Sequence, residues 1–329
     1  MPLDLSLTGR SVLLTGIAPD TIATVHALLR DGAHVTVAAP DDPADLPTSV
    51  RDLAERGLVA LRAEPEHTAY DVVIRSATPT PPPGRSGAGE VVLVGGGPSD
   101  AGLLTVAGLD AIRRADVVVH DRLAPLAALV HARAGTEIID VGKIPRGEFT
   151  PQERINAILL EHARRGRVVV RLKGGDGFVF GRGGEEAQAC RAAGIPVTVV
   201  PGITSSIAGP ALAGIPVTHR DLVQGFSVVS GHVPPGDPRS TVDWGALARS
   251  GTTLVVLMGV ATLPAITAEL VAQGLAGDTP AAVVADAGMS SMRTVRAPLD
   301  SIAETASREG ITAPAVAVVG AVAALDVLA

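Results

Sequence analysis

The stretch VVVRLKGGDGFVFGRGGEE, residues 168–186, places a glycine-rich loop between an apolar run and a helix-like segment that continues to Cys190. Glycine adopts positive φ and lets a ligand approach the backbone closely. Glu185 and Glu186 suit the first turn of a helix, where negative charge is stabilised. Because open α/β sheets place their ligands at the carboxyl ends of parallel strands, the stretch predicts a strand, a ligand-binding loop and a helix.

The composition predicts a globular chain with an aliphatic core. Of the 329 residues, 47% are hydrophobic, 19% are charged and only 2% are aromatic, and the formal net charge is −7. That charge argues against a broad nucleic-acid surface. The N-terminus lacks the basic and apolar segments of a secretory signal, and no apolar run has membrane-spanning length. We therefore expect a cytoplasmic protein that binds neither nucleic acid nor membranes.

Cys190 is the single cysteine, so the chain forms no internal disulfide and contains no motif for a cysteine-based metal site. Its helical surroundings predict a buried apolar role rather than a nucleophile. We expect no metal cofactor.

The first 78 residues predict a small Rossmann-like domain. A strand at 11–16, a helix at 21–30 and a strand at 35–39 form a β-α-β unit. The turn after the first strand has Ala18 and Pro19 where a dinucleotide fingerprint needs a second glycine and bare backbone. Asp41 and Asp42 follow the second strand, where they fit a turn as well as a ribose contact. We therefore predict that NAD is not bound.

Residues 79–89, PTPPPGRSGAG, predict a linker, after which a second α/β pattern begins at Glu90. Five strands follow, each ending in a turn rich in Gly, Pro, Asp, Lys or Ser, and these turns are expected along one edge of one sheet. The strands are predicted near 91–94, 116–119, 138–141, 168–170 and 197–200. The predicted domains are 1–78, the linker 79–89, a lobe at 90–220 and a lobe at 221–329.

The last of these lobes is predicted to be α/β as well. Its strands are expected near 227–230, 253–258, 281–285 and 315–319, and its helices near 263–273 and 299–309.

Residues 90–329 resemble the tetrapyrrole methylases, in the branch that acts on uroporphyrinogen III. The resemblance is carried, in order, by VVLVGGGPSDAGLLTVAGLDAIRRADVVVHDRL, VGK, RLKGGDGFVFGRGGEE, VPGITSSIAGPALAGIPVTHR, SGH, DW, VVLMG and PAVAVVG. It implies two α/β lobes with S-adenosylmethionine between them, two methyl transfers to C2 and C7 of uroporphyrinogen III giving precorrin-2, and a homodimer. The product would feed sirohaem or cobalamin biosynthesis. Residues 1–78 resemble the beginning of the NAD-binding domain of bifunctional sirohaem synthases, without the rest of that module.

The resemblance also implies roles for individual residues. Asp121 and Lys143 match the positions of an acid–base pair in this family. An equally open interpretation is that Asp121 caps a turn and that Lys143 holds the substrate. The carboxylates of the substrate call for basic partners, which we expect to be Arg122, Arg146, Arg182, His219 and Arg220. The implied cofactor contacts are Pro98, Gly174, Gly175, Asp176, Val179, Thr204, Ser205, Met258 and Ala287.

The sequence departs from the family pattern at His120, which stands where tyrosine is usual, and at Gly177, which stands where proline is usual. Two other readings remain open: a methylase acting on a later precorrin, and a non-catalytic regulator that senses NAD. We expect residues 1–78 to be structural and removable without loss of methylation.

Overall fold

The structure is a computed structural model that describes residues 7–17, 21–40, 46–75, 89–142 and 150–328. The chain divides into two compact units, Met1–Ile203 and Thr204–Ala329. Among the described residues there are three sheets, two in the first unit and one in the second.

The N-terminal sheet has four parallel strands in the order β3-β2-β1-β4, as a Rossmann-like domain requires. The strands are β1 (Ser11–Thr15), β2 (His34–Ala38), β3 (Ala60–Arg62) and β4 (Val72–Arg75), and the helices are α1 (Thr21–Arg30) and α2 (Thr48–Glu55). Val12, Leu13 and Leu14 are fully buried in the central strand, because consecutive apolar side chains fill both faces of a covered sheet. The predicted fold of this segment is confirmed, whereas Ala18, Pro19, Asp41 and Asp42 lie outside the described residues.

The second sheet has five strands, all parallel, in the order β7-β6-β8-β5-β9. The strands are β5 (Glu90–Gly95), β6 (Val117–His120), β7 (Glu137–Asp140), β8 (Val168–Lys173) and β9 (Val197–Val200). The helices are α3 (Val106–Arg114), α4 (Gln152–Arg164) and α5 (Gly183–Ala192). Since every strand runs the same way, the five strand-end turns share one edge, as predicted.

One side of this sheet is closed by an apolar cluster in which Val91, Val117 and Val169 pack with Ile155 and Leu159 of α4. Cys190 is 1% exposed in the same cluster, which confirms its predicted burial. Burial, with Glu186 nearby, raises the pKa of its thiol to about 11, so the thiol stays protonated and unreactive at neutral pH.

The third sheet, in the second unit, is mixed: β10 and β11 are parallel and the remaining pairs are antiparallel, in the order β10-β11-β14-β12-β13. The strands are β10 (Phe226–Ser230), β11 (Thr253–Leu257), β12 (Pro280–Ala285), β13 (Arg293–Pro298) and β14 (Ala315–Val319). The helices are α6 (Ser205–Leu212), α7 (Trp244–Ala248), α8 (Leu263–Ala272) and α9 (Ile302–Arg308).

Helices α6 and α7 and strand β13 of this unit were missed by the sequence reasoning. β13 carries Arg293 and Arg296 on a largely exposed edge, so it shows no apolar run. The short α7 depends on its cap, in which the Asp243 carboxylate accepts a hydrogen bond from the Ala246 amide at 2.8 Å.

The predicted division between two lobes at residue 220 stays a prediction. Helix α6 packs with the third sheet, against β11 and β14. Of the predicted linker, only Gly89 is among the described residues. In the ranges that the structure describes, no helix has both the length and the apolar composition needed to cross a bilayer.

Candidate active site

Three loops meet at the carboxyl edge of the five-stranded sheet, after β5, β8 and β9. Gly97 and Gly175 exchange two backbone hydrogen bonds, of 3.0 and 2.8 Å, as an isolated antiparallel bridge. The Asp176 carboxylate accepts hydrogen bonds from the Phe178 amide at 2.8 Å and the Gly202 amide at 2.9 Å. Asp176 therefore ties the loop after β8 to the loop after β9.

The glycines in these loops allow close approach of backbone to backbone. A Cβ at Gly95 would lie 2.5 Å from the Gly202 nitrogen, and one at Gly174 would lie 2.5 Å from the Leu123 carbonyl oxygen. Gly175 has φ +64°, in the left-handed region that favours glycine. The loops can pack this tightly only because these positions lack side chains.

The predicted cofactor residues of the first unit are thus brought to one place. Gly174, Gly175, Asp176 and Val179 belong to the loop after β8, and Pro98 is buried in the loop after β5, next to Gly97. The structure places these residues together, and their contact with a cofactor stays a prediction.

A buried cluster of charges lies behind the loops. The Arg171 guanidinium donates from Nε to Glu186 Oε1 at 3.0 Å and from Nη2 to Asp121 Oδ1. The Lys173 ammonium lies 3.2 Å from Glu186 and 3.4 Å from Asp121 Oδ2. Gln152 donates to Glu186 at 3.1 Å. Two cations thus face two carboxylates.

Sequence reasoning assigned no role to Arg171 or Lys173 and gave Glu186 only a place in the first helical turn, although a signal for the cluster was present. Arg171 and Lys173 are two positions apart on a strand and so point to the same face. Two cations on one face of a buried strand need buried anions, because an unpaired buried charge is strongly unfavourable. Glu186, 0% exposed in the first turn of α5, is such a partner.

This cluster sets the ionisation of Asp121, whose side chain is 31% exposed. Burial opposes its charged form, but the Arg171 and Lys173 charges and hydrogen bonds outweigh burial and hold the pKa of Asp121 below its ordinary value. Asp121 is therefore an ionised acceptor at neutral pH, not a proton donor.

His120 precedes Asp121 and is buried. Burial lowers the pKa of His120 despite the nearby Asp140 and Asp121 carboxylates, so the ring is neutral at neutral pH. Its Nδ1 lies 3.2 Å from the Asp121 carbonyl oxygen. The ring therefore fills a core position under the turn.

Among the described residues of the first unit, the predicted substrate cations Arg122 and Arg182 already have carboxylate partners. Arg122 Nη1 donates to Asp52 at 2.9 Å, and Arg182 makes two hydrogen bonds to Glu185, of 2.8 and 2.7 Å. Lys143 and Arg146 lie outside the described residues.

In the second unit, Met258 and Ala287 follow β11 and β12 at the same edge of the third sheet, since both strands pair with Val316 of β14. Met258 has φ +57° and a side chain that is 49% exposed. Asp286, before Ala287, also has positive φ, and such strained residues concentrate at ligand sites.

The remaining predicted residues of this unit lie in two segments. Thr204 caps α6, accepting from the Ser206 amide, and Ser205 is half-buried in its first turn. His219 accepts at Nδ1 from the Asp221 amide at 3.3 Å, and Arg220 is exposed. Across the described parts of both units, no three His, Cys, Asp or Glu side chains are grouped so as to hold a metal ion.

Comparison with known families gives a match over most of the chain. A family model described as Tetrapyrrole (Corrin/Porphyrin) Methylases matches residues 90–303. A siroheme synthase from Tolumonas auensis is 47% identical over 237 residues, which are 72% of this chain and 50% of that protein. The chain thus spans about half the length of the curated relatives it first matches.

Two proteins of similar length to the matched region are also related. A uroporphyrinogen-III C-methyltransferase from Priestia megaterium is 44% identical over 71% of this chain and 98% of its own. The crystal structure of a uroporphyrin-III C-methyl transferase from Thermus thermophilus complexed with S-adenyl homocysteine has a TM-score of 0.61 and 40% identity, covering 71% of this chain and 98% of that one.

Proposed function

The chain belongs to the tetrapyrrole methylase family, and on that premise we propose that it methylates uroporphyrinogen III at C2 and C7, giving precorrin-2. The observation that carries the proposal is the family match over residues 90–303, together with 98% coverage of the Priestia megaterium enzyme. The product would enter sirohaem or cobalamin biosynthesis, and the protein would act as a cytoplasmic homodimer.

The residues present fit S-adenosylmethionine as methyl donor. An adenosine and an amino-acid end need backbone hydrogen bonds, hydroxyl groups and apolar walls, with few charges. The loops after β5 and β8 offer glycine backbone, and Phe178 and Phe180 expose their rings there. In the second unit, Thr204, Ser205, Met258 and Ala287 are proposed as further contacts. The relative from Thermus thermophilus, whose complex holds S-adenyl homocysteine, supports this choice.

Asp121 fits the role of proton acceptor. S-adenosylmethionine bound here would supply an electrophilic methyl group, which would form a carbon–carbon bond to the macrocycle as the methyl–sulfur bond breaks and leaves its electron pair on sulfur. The macrocycle gains the positive charge and becomes acidic. A carboxylate whose pKa is lowered by Arg171 and Lys173 is a weak base, yet such an acidic product needs no stronger one. Lys143 is proposed as its partner or as a propionate contact.

The substrate carboxylates are proposed to meet Arg146, Arg182, His219 and Arg220. Arg122 would have to leave Asp52 before it could join them. Because the formal net charge is −7, such cations must be concentrated where the substrate binds.

Incubating the full chain with uroporphyrinogen III and S-adenosylmethionine tests the proposal, with mass analysis of the product and carbon-13 NMR of the transferred methyl groups. We expect two added methyl groups, at C2 and C7. A folded protein that binds the cofactor but leaves this substrate unmethylated would favour a later precorrin. The regulatory alternative requires NAD binding, which titration of the full chain checks separately.

A further inference from the structure

Helix α2 of the N-terminal domain is capped by a residue of the five-stranded sheet. Pro47 at its N-terminus offers no side-chain cap. Instead, the Ser49 amide and hydroxyl both donate to Asp140 Oδ2, at 3.0 and 2.8 Å. A carboxylate that accepts an otherwise unpaired helical amide also matches the helix dipole. Asp140, at the end of β7, therefore serves as an N-cap supplied from another domain.

A second contact lies one turn further along α2. Asp52 accepts from Arg122 Nη1 at 2.9 Å, and both side chains are about nine-tenths buried. Arg56 places a second cation 3.6 Å from the other Asp52 oxygen. The Arg122 guanidinium is therefore enclosed between the domains, away from solvent.

A further contact involves helix α1. Helix α1 packs against the 3₁₀ turn Leu126–His131 that follows the Asp121 loop. The pKa of His26 in α1 is lowered to about 4 by burial, by His120 and by Arg56, which places this side chain near both residues. The contact surface thus continues from α2 to α1.

Both polar contacts reach segments next to the candidate catalytic residues: the turn that bears Asp121 and the chain that ends at Gly142. Arg122 adjoins Asp121 in the turn after β6. The other oxygen of Asp140 accepts from the Gly142 amide at 2.8 Å, immediately before Lys143. The two turns also touch, since a Cβ at Gly142 would lie 3.1 Å from Arg122 Cβ.

We propose that the N-terminal domain is a positioning module for the methylase, in which Ser49 and Asp52 of α2 hold the turns bearing Asp121 and leading to Lys143. Arg122 is then an anchor between domains rather than a substrate ligand. The contacts argue against the expectation that residues 1–78 can be removed without loss of methylation. The reaction affected is the one proposed above, so this inference rests on that proposed function.

The test uses the full chain with Asp52→Asn and Ser49→Ala. The control is Asp110→Asn, which removes an exposed Asp–Arg pair of 3.2 Å on α3. Amide hydrogen exchange at residues 121–123 and 142 reports the turns, and kcat and KM report the reaction. We expect exchange to quicken about tenfold and kcat to fall about threefold to thirtyfold in both variants, while affinity for S-adenosyl homocysteine stays within about twofold. Asp52→Glu, which keeps the charge, should recover part of the loss.

Exchange and turnover like those of Asp110→Asn in both variants would overturn the inference. A lower KM or faster turnover in Asp52→Asn would also overturn it, because Asp52 would then be withholding Arg122 from substrate. If Asp52→Asn does not fold, the Ser49→Ala variant still tests the inference, because it removes only one hydroxyl. If the unsubstituted protein does not methylate uroporphyrinogen III, the proposed function fails, while the exchange rates still report whether α2 holds the two turns.

Discussion

Glu186, in the first turn of α5, accepts a hydrogen bond of 3.0 Å from Nε of Arg171, in β8. The two residues flank the glycine-rich loop, so this buried ion pair closes the loop at its base. Through Nη2 of the same guanidinium the pair extends to Asp121, the candidate proton acceptor.

Glu186→Gln should destabilise the protein strongly. The substitution removes the fully buried carboxylate of the cluster and leaves Arg171 and Lys173 facing Asp121 alone. Breaking a buried pair costs about 3–5 kcal/mol of unfolding free energy. Guanidinium denaturation measures it. Glu185→Gln is the matched control, since its pair with Arg182 is exposed and should contribute less than about 1 kcal/mol. Equal effects in both variants would contradict the role given to the cluster.

Asp121→Asn should lower the free energy of unfolding by an amount that depends on pH. The pKa of Asp121 is lower in the folded state, so its charge stabilises the protein above the unfolded pKa of about 3.9. That contribution is lost as the pH falls through the folded pKa. The stability difference between wild type and variant should thus be full at neutral pH and shrink below about pH 4. Urea denaturation across this range measures it, and a difference that grows in acid would exclude a depressed pKa.

Asp176→Ala should weaken binding of S-adenosyl homocysteine about tenfold, because the Phe178 and Gly202 amides lose their acceptor and the loops after β8 and β9 separate. Asp176→Asn keeps one acceptor oxygen and should lose less. Calorimetry gives the dissociation constants. Asp243→Ala, which removes a helix cap in the second unit, should lower stability and leave this affinity unchanged. Affinity equal to wild type in Asp176→Ala would show that the loops do not depend on this carboxylate.

Gly202→Ala should unfold or severely destabilise the first unit. Its Cβ would lie 2.4 Å from the Gly175 carbonyl oxygen and 2.4 Å from the Gly95 carbonyl carbon, both of them backbone atoms that cannot rotate away. Gly184→Ala is the control, because nothing lies within 4 Å of its Cβ and alanine favours the helix by about 0.5–1 kcal/mol. Thermal unfolding compares the two. A Gly202→Ala protein as stable as wild type would mean that the three loops do not meet as closely as the structure has them.

The sequence by itself determined the α/β class, most of the strands and helices, the shared edge of the five strand ends and the family. These follow from local signals: the apolar run at 168–170 reports a strand buried on both faces, and the glycines at 174 and 175 report a tight turn after it. The edge strand β13 was not predicted, because its exposed arginines interrupt the apolar run that identifies a buried strand.

Only the tertiary structure decided which charged side chains pair with each other and which residue caps helix α2. Arg171 forms an ion pair with Asp121, fifty positions away in the sequence, and Arg122 forms one with Asp52, seventy positions away. Asp140 caps a helix that begins at Thr48. Periodicity tells which face of an element is buried, but not which element covers it. The partner of a charged side chain depends on strand order and on how the domains dock, and those are set by contacts between residues far apart in the chain.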